Sequence, residues 1–288
     1  MTEEGAFGSI AQNVRIARSS NGAQAGLLVY EPKLPRTALM WVPAMGVPAR
    51  HYEALAMALA CRGVAVGVHE WRGIGSSNRR AGRGSDWGYR ELLKDDLPAS
   101  HEALQAALPD VPLWLGGHSL GGQLASLFAA ISTEAPKGIA LVASGSPYWR
   151  NFGLAVGMAY VGAPLLAALV GYLPGRRIGF GGNEARGVIA DWSRSGRTGR
   201  YSARGLDVDL DAVLRKQPSP ILGLRLRDDW LGPAASLQYL MDKMPAAART
   251  LDVVGPDQFD GQPADHFAWM KRPDAIARRI ADWMGQTA

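Results

Sequence analysis

The stretch VPLWLGGHSLGGQLASLFAA, residues Val111–Ala130, decides the fold of this chain. It opens with a short apolar run, Val111–Leu115, that has the length of a buried strand, and closes with Ser119–Ala130, whose small and apolar residues favour a helix. The two segments meet at G-H-S-L-G, residues 117–121, which has the G-x-S-x-G spacing of a nucleophile elbow. Such a sharp turn needs small residues two positions before and after the serine, because strand and helix approach closely there. The pattern predicts Ser119 as a nucleophile, and a serine that only caps the helix is the alternative.

Segments on both sides of this stretch alternate between strand and helix patterns. Near the N-terminus, two extended runs flank the turn S-N-G at residues 20–22 and predict a hairpin. The alternation that follows predicts an α/β fold, with a mainly parallel central sheet, right-handed crossovers and flanking helices. The predicted strands are residues 38–43, 64–68, 111–115, 138–143, 220–227 and 249–254, and the predicted helices are residues 51–62, 89–108, 119–130, 234–244 and 273–284.

The alternation stops between about Pro147 and Asp211, after the sixth predicted strand. This insertion contains Phe152–Leu173, a run of 22 uncharged residues that is long enough to span a membrane. Several glycines and a proline interrupt the run, and it lies between strands of one predicted sheet, so we interpret it as apolar helices that cover the core and line a pocket.

The insertion is also basic, whereas the rest of the chain is about neutral. Between Pro147 and Leu206 there are eight arginines against two acidic residues, a net charge of +6 in a chain whose total is +5. A solvated face is the usual meaning of such a cluster, and an acidic substrate or an anionic membrane surface are the alternatives. No nucleic-acid-binding motif accompanies it, so we expect no nucleic-acid partner.

The composition limits the remaining possibilities. With 288 residues, 47% of them apolar and 20% charged, we expect one core domain with an insertion. The single cysteine, Cys61, excludes an internal disulfide and a cysteine metal cluster. The histidines have no metal-ligand spacing and the chain has no phosphate loop, so no metal or cofactor is expected. The N-terminal MTEEGAFGSI does not resemble a signal peptide, which predicts a cytoplasmic location.

A serine nucleophile needs a histidine within hydrogen-bond reach to act as its base. His51 and His101 lie in predicted helices, His69 lies near the end of a strand, and His118 is inside the elbow itself. His266 follows the last predicted strand, where the carboxyl ends of parallel strands collect functional loops. His266 is therefore the candidate base, with a surface or helix-capping histidine as the alternative.

The base in turn needs a carboxylate that orients it. Asp228 and Asp229 both follow the predicted strand at residues 220–227 and stand between Ser119 and His266 in the chain. Either aspartate fits the order serine, acid, histidine, although an aspartate at this position is also an ordinary start of a helix.

These motifs resemble the α/β-hydrolase fold superfamily, and within it the lid-bearing serine hydrolases of the monoacylglycerol lipase and serine aminopeptidase type. The resemblance covers nearly the whole chain and implies a core of residues 1–146 and 212–288 with a helical lid at residues 147–211. The stretches that carry it are PAMGVPARHYEALAMALACRGV at residues 43–64, WRGIGSS at 71–77, GGHSLGG at 116–122, LRLRDDWLGP at 224–233 and DHFAW at 265–269.

The resemblance also assigns the acid. In this family the acid is usually an aspartate four residues before a proline, which matches Asp229 and Pro233 and leaves Asp228 as the fallback. The family's base usually follows a glycine, whereas His266 follows Asp265.

Two backbone N–H groups are needed to hold the oxyanion of a tetrahedral intermediate. One is that of Leu120, the residue after the nucleophile, and by resemblance the other is that of Met45. The family loop usually begins with His-Gly, and Pro43-Ala44 stands in its place here.

The expected function is hydrolysis of an acyl bond, with an ester preferred, through an acyl-enzyme on Ser119. The partner is a small-molecule acyl substrate with an apolar chain, and no cofactor is expected. Thioesterase, amidase and acyltransferase chemistry use the same residues and stay open, as does a non-catalytic member that binds a small ligand or a partner. The apolar lid leaves peripheral membrane contact open, and the sequence does not determine the oligomeric state.

Overall fold

A computed structural model describes residues 9–287 and contains a central eight-stranded sheet. Most of the N-terminal stretch on which the signal-peptide prediction rests, residues 1–8, lies outside the described residues. The strands of the structure are β1 (Ala11–Arg18), β2 (Gln24–Glu31), β3 (Thr37–Val42), β4 (Val64–Val68), β5 (Leu113–His118), β6 (Ile139–Val142), β7 (Leu173–Pro174), β8 (Asn183–Glu184), β9 (Ile221–Leu226) and β10 (Arg249–Val254).

The strand order of the main sheet is β1-β2-β4-β3-β5-β6-β9-β10. β1 and β2 form the predicted antiparallel hairpin, and β2 is also antiparallel to β4. All pairs from β4 to β10 are parallel, as the alternation predicted. The short pair β7 and β8 forms a separate antiparallel ladder inside the insertion.

Helices cover both faces of the sheet. On each face, the inner sides of the helices pack against the strands and form a buried apolar cluster. The α-helices are α1 (Glu53–Ala60), α2 (Tyr89–Glu91), α3 (Leu97–Ala107), α4 (Leu120–Ile131), α5 (Leu154–Val170), α6 (Gly175–Ile178), α7 (Arg186–Thr198), α8 (Leu210–Leu214), α9 (Ala234–Asp242) and α10 (Asp274–Thr287).

The predicted elbow strand and the predicted helix before it differ from the structure. The elbow strand was expected at residues 111–115, but β5 runs from Leu113 to His118, because its parallel pairing with β3 and β6 continues through the glycines of the elbow. The helix expected at residues 89–108 contains a π-helical turn, Leu92–Asp96, between α2 and α3.

The insertion begins after β6 and consists mainly of α5, α6 and α7. The uncharged run forms α5, a helix of 17 residues that ends at Gly171. Within residues 9–287 no helix combines the length and the apolar character needed to cross a membrane. The predicted end of the insertion, Asp211, falls inside α8, and α8 packs against α4 of the core.

Candidate active site

Ser119 occupies the turn between β5 and α4 in a conformation that residues with a side chain rarely adopt. Its φ is 55° and its ψ is −123°. A Cβ on Gly117 would overlap the backbone of Gly121, and a Cβ on Gly121 would overlap the carbonyl oxygen of Val42. The G-x-S-x-G spacing is therefore a steric requirement of this turn, because β3, β5 and α4 meet there without room for side chains.

Hydrogen bonds from the neighbouring strand hold the serine backbone in place. The N–H of Ser119 donates to the carbonyl of Val142 at 3.1 Å, and the hydroxyl of Ser144 donates to the carbonyl of Ser119 at 2.6 Å. Strained backbone conformations persist only where the surroundings determine them, and these bonds do so here. The serine is thus presented at the N-terminus of α4.

His266 and Asp229 form a buried pair at the carboxyl edge of the sheet. Nδ1 of His266 lies 2.7 Å from Oδ2 of Asp229, and the two residues are 6% and 3% exposed. The other carboxylate oxygen of Asp229 accepts the N–H groups of Leu231 at 2.8 Å and Gly232 at 3.0 Å. The carboxylate is therefore fixed from one side and presents one oxygen to the imidazole.

The structure brings His266 together with Asp229 and not with Asp228. Asp228 is exposed, and its Oδ2 accepts the N–H of Ala264 at 2.9 Å. Consecutive residues at the end of a strand point to opposite sides, so only one of the two aspartates reaches the histidine.

Asp265, which replaces the glycine usual before the base, has a local role. Its Oδ1 accepts the N–H groups of Phe267 at 2.9 Å and Ala268 at 2.7 Å, where a short 3-10 helix begins. The indole N–H of Trp269 then donates to the carbonyl of His266 at 3.0 Å. The loop that carries His266 is thus stabilised by its own side chains.

Ser119 and His266 line the same cavity, which has a volume of about 470 Å³. Met45 and Leu120, the two residues predicted to supply the oxyanion donors, line it as well. The insertion contributes much of the remaining wall. Its lining residues are mostly apolar and comprise Pro147, Phe152, Val156, Ala159, Tyr160, Ala163, Leu173, Ile178, Gly179, Phe180, Gly181 and Trp192.

The loop that carries Met45 is a tight turn. The N–H of Val47 donates to the carbonyl of Ala44 at 3.1 Å, and Gly46 has a φ of 77°, which favours glycine. A Cβ on Gly46 would also overlap the backbone of Gly182 in the insertion. Within the described residues, neither the Met45 N–H nor the Leu120 N–H donates a hydrogen bond, so both donors are free to bind a ligand atom.

A family model described as serine aminopeptidase, S33, matches residues 33–178, which is just over half of the chain. The matched region contains the Met45 loop and the Ser119 elbow. The chain belongs to the serine aminopeptidase S33 family. It is thus an α/β-hydrolase-type enzyme, as the sequence predicted.

Solved structures of other hydrolases share this fold. A carboxyl esterase from Bacillus coagulans, solved with glycerol, has a TM-score of 0.64 at 17% identity, with 97% of this chain and 99% of that chain covered. An esterase from Thermogutta terrifontis, malate bound, has a TM-score of 0.65 at 15% identity, with 96% and 99% covered. A monoacylglycerol lipase from Paleococcus ferrophilus has a TM-score of 0.59 at 14% identity, with 98% and 100% covered. No curated protein matches the sequence significantly.

His118, which lies inside the elbow, is a buried residue that packs beside His266, the candidate base. Its ring centroid lies 4.7 Å from that of His266. Burial, and secondly the proximity of His266, hold the pKa of His118 well below its ordinary value. Nδ1 of His118 lies 2.8 Å from the hydroxyl of Tyr52, which accepts the N–H of Ala44 at 2.8 Å. The Tyr52 hydroxyl can therefore donate its own proton to Nδ1 of the imidazole.

Sequence reasoning missed Tyr52 and Trp71, which hold the Met45 loop from outside the cavity. The indole N–H of Trp71 donates to the carbonyl of Ala44 at 3.0 Å. Trp71 belongs to the WRGIGSS stretch, but nothing in that motif indicates which residue its indole contacts, because the partner is 27 positions away.

Metal ions have no evident site among the residues that the structure describes. Between residues 9 and 287, no three His, Cys, Asp or Glu side chains are grouped closely enough to hold one.

Proposed function

We propose that this hydrolase cleaves the carboxylic ester bond of an apolar acyl substrate through an acyl-enzyme on Ser119. The observation that carries the proposal is that the strained Ser119 lines one largely apolar cavity together with His266, which is bonded to the buried Asp229. A serine alone is a poor nucleophile at neutral pH, and a histidine oriented by a carboxylate is the arrangement that activates it.

The first half of the proposed reaction transfers the acyl group to the enzyme. Because Nδ1 of His266 is engaged by Asp229, Nε2 is the nitrogen left to accept the proton of Ser119 Oγ. Oγ bonds to the ester carbonyl carbon, and the Met45 and Leu120 N–H groups bind the resulting oxyanion. The tetrahedral intermediate collapses as His266 returns the proton to the leaving alcohol.

The second half repeats these steps with water. His266 takes a proton from water, the oxygen of which bonds to the acyl carbon, and the same two N–H groups bind the oxyanion. Collapse breaks the bond to Ser119 Oγ, which regains its proton from His266, and releases the carboxylic acid. Asp229 stays bonded to Nδ1 of His266 throughout and stabilises the imidazolium.

Residues 147–211 act in this proposal as a lid that selects an apolar acyl chain. The inner side of α5 supports this role, since Val156, Ala159 and Ala163 line the cavity. Burial of apolar surface contributes roughly 0.8 kcal/mol per methylene, so longer acyl chains bind more tightly until the cavity is filled.

The outer side of α5 supports a second role for the lid, which is contact with an anionic lipid surface. Leu154, Met158, Val161, Leu165 and Leu169 are spaced at three or four residues and are exposed. Arg176 and Arg177 of the adjoining α6 are exposed as well and match an anionic headgroup.

The experiment that tests the proposed function is hydrolysis of p-nitrophenyl esters from acetate to palmitate by the wild type and by Ser119→Ala. We expect turnover that depends on chain length and that falls by about 10⁴-fold or more in the variant. Ser132→Ala is the matched control, because the Ser132 hydroxyl only bonds the carbonyl of Phe128 at the end of α4. Its activity should equal that of the wild type.

A fluorophosphonate probe separates the alternatives. Labelling of the wild type and not of Ser119→Ala supports a nucleophilic serine even where esters are poor substrates. If labelling occurs without ester turnover, the thioesterase, amidase or acyltransferase alternatives replace the esterase proposal. A folded wild type that is neither labelled nor active would contradict the serine mechanism and favour a binding protein.

A further inference from the structure

Gln123 places an amide group in the wall of the mostly apolar cavity. It lies on the first turn of α4, and its backbone N–H donates to the carbonyl of Ser119 at 3.4 Å. The side chain is 5% exposed and lines the same cavity as Ser119 and His266. No step of the proposed reaction uses it. A wall that bound only hydrocarbon would favour an apolar residue here, because burying an amide costs free energy unless it is hydrogen-bonded.

Tyr201 determines which side of this amide is available. The Tyr201 hydroxyl donates to Gln123 Oε1 at 3.2 Å, and both residues are buried. The amide nitrogen carries two donors, and no acceptor among the described residues binds it. The available group at this point of the wall is therefore a hydrogen-bond donor.

Tyr160 of α5 adds a second polar group to the cavity wall. It is 2% exposed, and its ring packs edge-on against Trp192 with centroids 4.7 Å apart. A Cβ on Gly196 would overlap this ring, so glycine at that position lets the ring lie where it does. Burial raises the pKa of the Tyr160 hydroxyl, which therefore stays protonated and can donate.

Gln123 and Tyr160 line the same cavity, and Tyr201 interacts with both of them. Tyr160 is among the residues close enough to Tyr201 to raise the pKa of its hydroxyl, and Tyr201 is bonded to Gln123. No hydrogen-bond partner within residues 9–287 accepts from the Tyr160 hydroxyl. Besides Ser119 and His266, the mostly apolar cavity wall thus contains two further polar residues, both with donors to offer.

We propose that Gln123 and Tyr160 form a polar subsite that binds a second oxygen of the substrate, in addition to the scissile ester. The proposal rests on the proposed function, because the subsite shares the cavity of Ser119. Gln123 follows Ser119 by four residues, which corresponds to about 6 Å along the helix axis. A substrate spans this distance with roughly three to five bonds, so we place the second oxygen that far from the scissile carbonyl carbon. The favoured substrates are then oxygenated esters, since a hydrocarbon chain leaves the donors without acceptors.

Isosteric ester pairs test this subsite, because each pair differs only by an oxygen in place of one CH₂ group. In the acyl arm, the butyl esters of 3-methoxypropanoic, 4-methoxybutanoic and 5-methoxypentanoic acids are compared with those of pentanoic, hexanoic and heptanoic acids. In the alcohol arm, 2-methoxyethyl hexanoate is compared with butyl hexanoate. The arm that shows the preference identifies which part of the substrate carries the second oxygen.

The variants are Gln123→Leu and Tyr160→Phe, which remove the donors and retain most of the shape. We expect kcat/KM for the preferred oxygenated ester to fall about 3- to 10-fold for each donor removed, with less than 2-fold change for its hydrocarbon partner. Tyr239→Phe is the matched control, because the Tyr239 hydroxyl bonds the carbonyl of Gly199 and the residue is not part of the cavity lining. Its preference should equal that of the wild type.

The subsite would be overturned if the variants lost the same fraction of kcat/KM on both esters of a pair. It would also be overturned if both folded variants kept the wild-type preference for the oxygenated ester. Failure of the esterase proposal is recognised separately, because the wild type would then hydrolyse no ester of either arm. In that case, the ligands are the corresponding ketones, in which CH₂ replaces the bridging oxygen of the ester. Their binding is measured through the fluorescence of Trp192 and Trp230 in the cavity wall. The subsite predicts tighter binding of the oxygenated ketone by the wild type alone, and equal binding by the wild type and Gln123→Leu would refute it.

Discussion

The indole N–H of Trp71 donates a hydrogen bond of 3.0 Å to the carbonyl oxygen of Ala44. This carbonyl and the Met45 N–H belong to the same peptide group, and in a trans peptide they point in opposite directions. On the other side of Ala44, its N–H donates to Tyr52 at 2.8 Å. Because Trp71 holds the Ala44 carbonyl, the Met45 N–H points away from Trp71, and rotation of the Ala44–Met45 peptide is restricted.

We therefore expect Trp71→Phe to lower kcat about 10-fold with little change in KM. The oxyanion forms only on the reaction path, so a misplaced donor affects the transition state more than the bound substrate. Trp114→Phe is the control, because this buried indole N–H has no hydrogen-bond partner within residues 9–287 and its ring packs against Trp283. A steady-state comparison of the two variants would refute the role of Trp71 if both lost the same fraction of kcat.

Replacing each of the two adjacent aspartates by asparagine separates their roles. We expect Asp229→Asn to lower kcat by about 10³- to 10⁴-fold, because an amide no longer stabilises the imidazolium of His266 or fixes its tautomer. Asp228→Asn keeps an oxygen that can accept the Ala264 N–H, so its kcat should stay within about 2-fold of the wild type. Similar losses in the two variants would argue against Asp229 as the acid.

Two glycine-to-alanine changes should have opposite effects on stability. Gly121→Ala places a methyl group against the carbonyl of Val42, so we expect little folded protein or the loss of several kcal/mol of unfolding free energy. Gly162 lies on the exposed side of α5, and no atom of the described residues is within 4 Å of an added Cβ, so Gly162→Ala should raise the unfolding free energy by about 0.5–1 kcal/mol. Urea denaturation of both variants measures the difference, and a well-folded Gly121→Ala enzyme would contradict the steric argument.

Stability should fall as the pH is lowered from about 6.5 to about 4, partly because of His69. Burial lowers the pKa of this histidine from 6.5 to about 4, while its Nδ1 lies 2.8 Å from the hydroxyl of Ser100. The unfolded chain takes up the proton first, so the folded state loses roughly 3 kcal/mol of relative stability across this window. Above pH 6.5 the contribution is fully retained.

His69→Asn tests this dependence by urea denaturation at several pH values. Asparagine has no proton to take up in this range, so we expect a shallower decline in unfolding free energy below pH 6.5 than in the wild type, even if the variant is less stable overall. Parallel curves for the two proteins would show that His69 does not contribute. His118, whose pKa is also lowered, should account for part of the slope that remains.

The exposed face of α5 should govern binding to lipid. Leu165 is 62% exposed on this face, and Leu165→Glu should reduce sedimentation with vesicles of phosphatidylcholine and phosphatidylglycerol about 10-fold. Leu34→Glu is the control, because Leu34 is 82% exposed in the loop between β2 and β3. Equal binding by both variants, or no binding by the wild type, would contradict contact through the lid.

The sequence alone determined the features that depend on short-range sterics and periodicity. The elbow could be predicted because a serine with positive φ needs glycines two positions away, and the parallel sheet could be predicted from alternating apolar runs. The extent of β5 could not, because its pairing with β3 and β6 decides where the strand ends. The place of the candidate nucleophile is thus a local property of the chain.

Only the tertiary structure decided which distant side chains meet around that serine. Two adjacent aspartates leave one strand, and packing of the His266 loop, 37 residues away, pairs the histidine with Asp229. The contact of Trp71 with Ala44 and that of Tyr201 with Gln123, across 27 and 78 residues, have no signature in the sequence. Local patterns define a backbone conformation, whereas hydrogen bonds between remote residues depend on how the whole core packs.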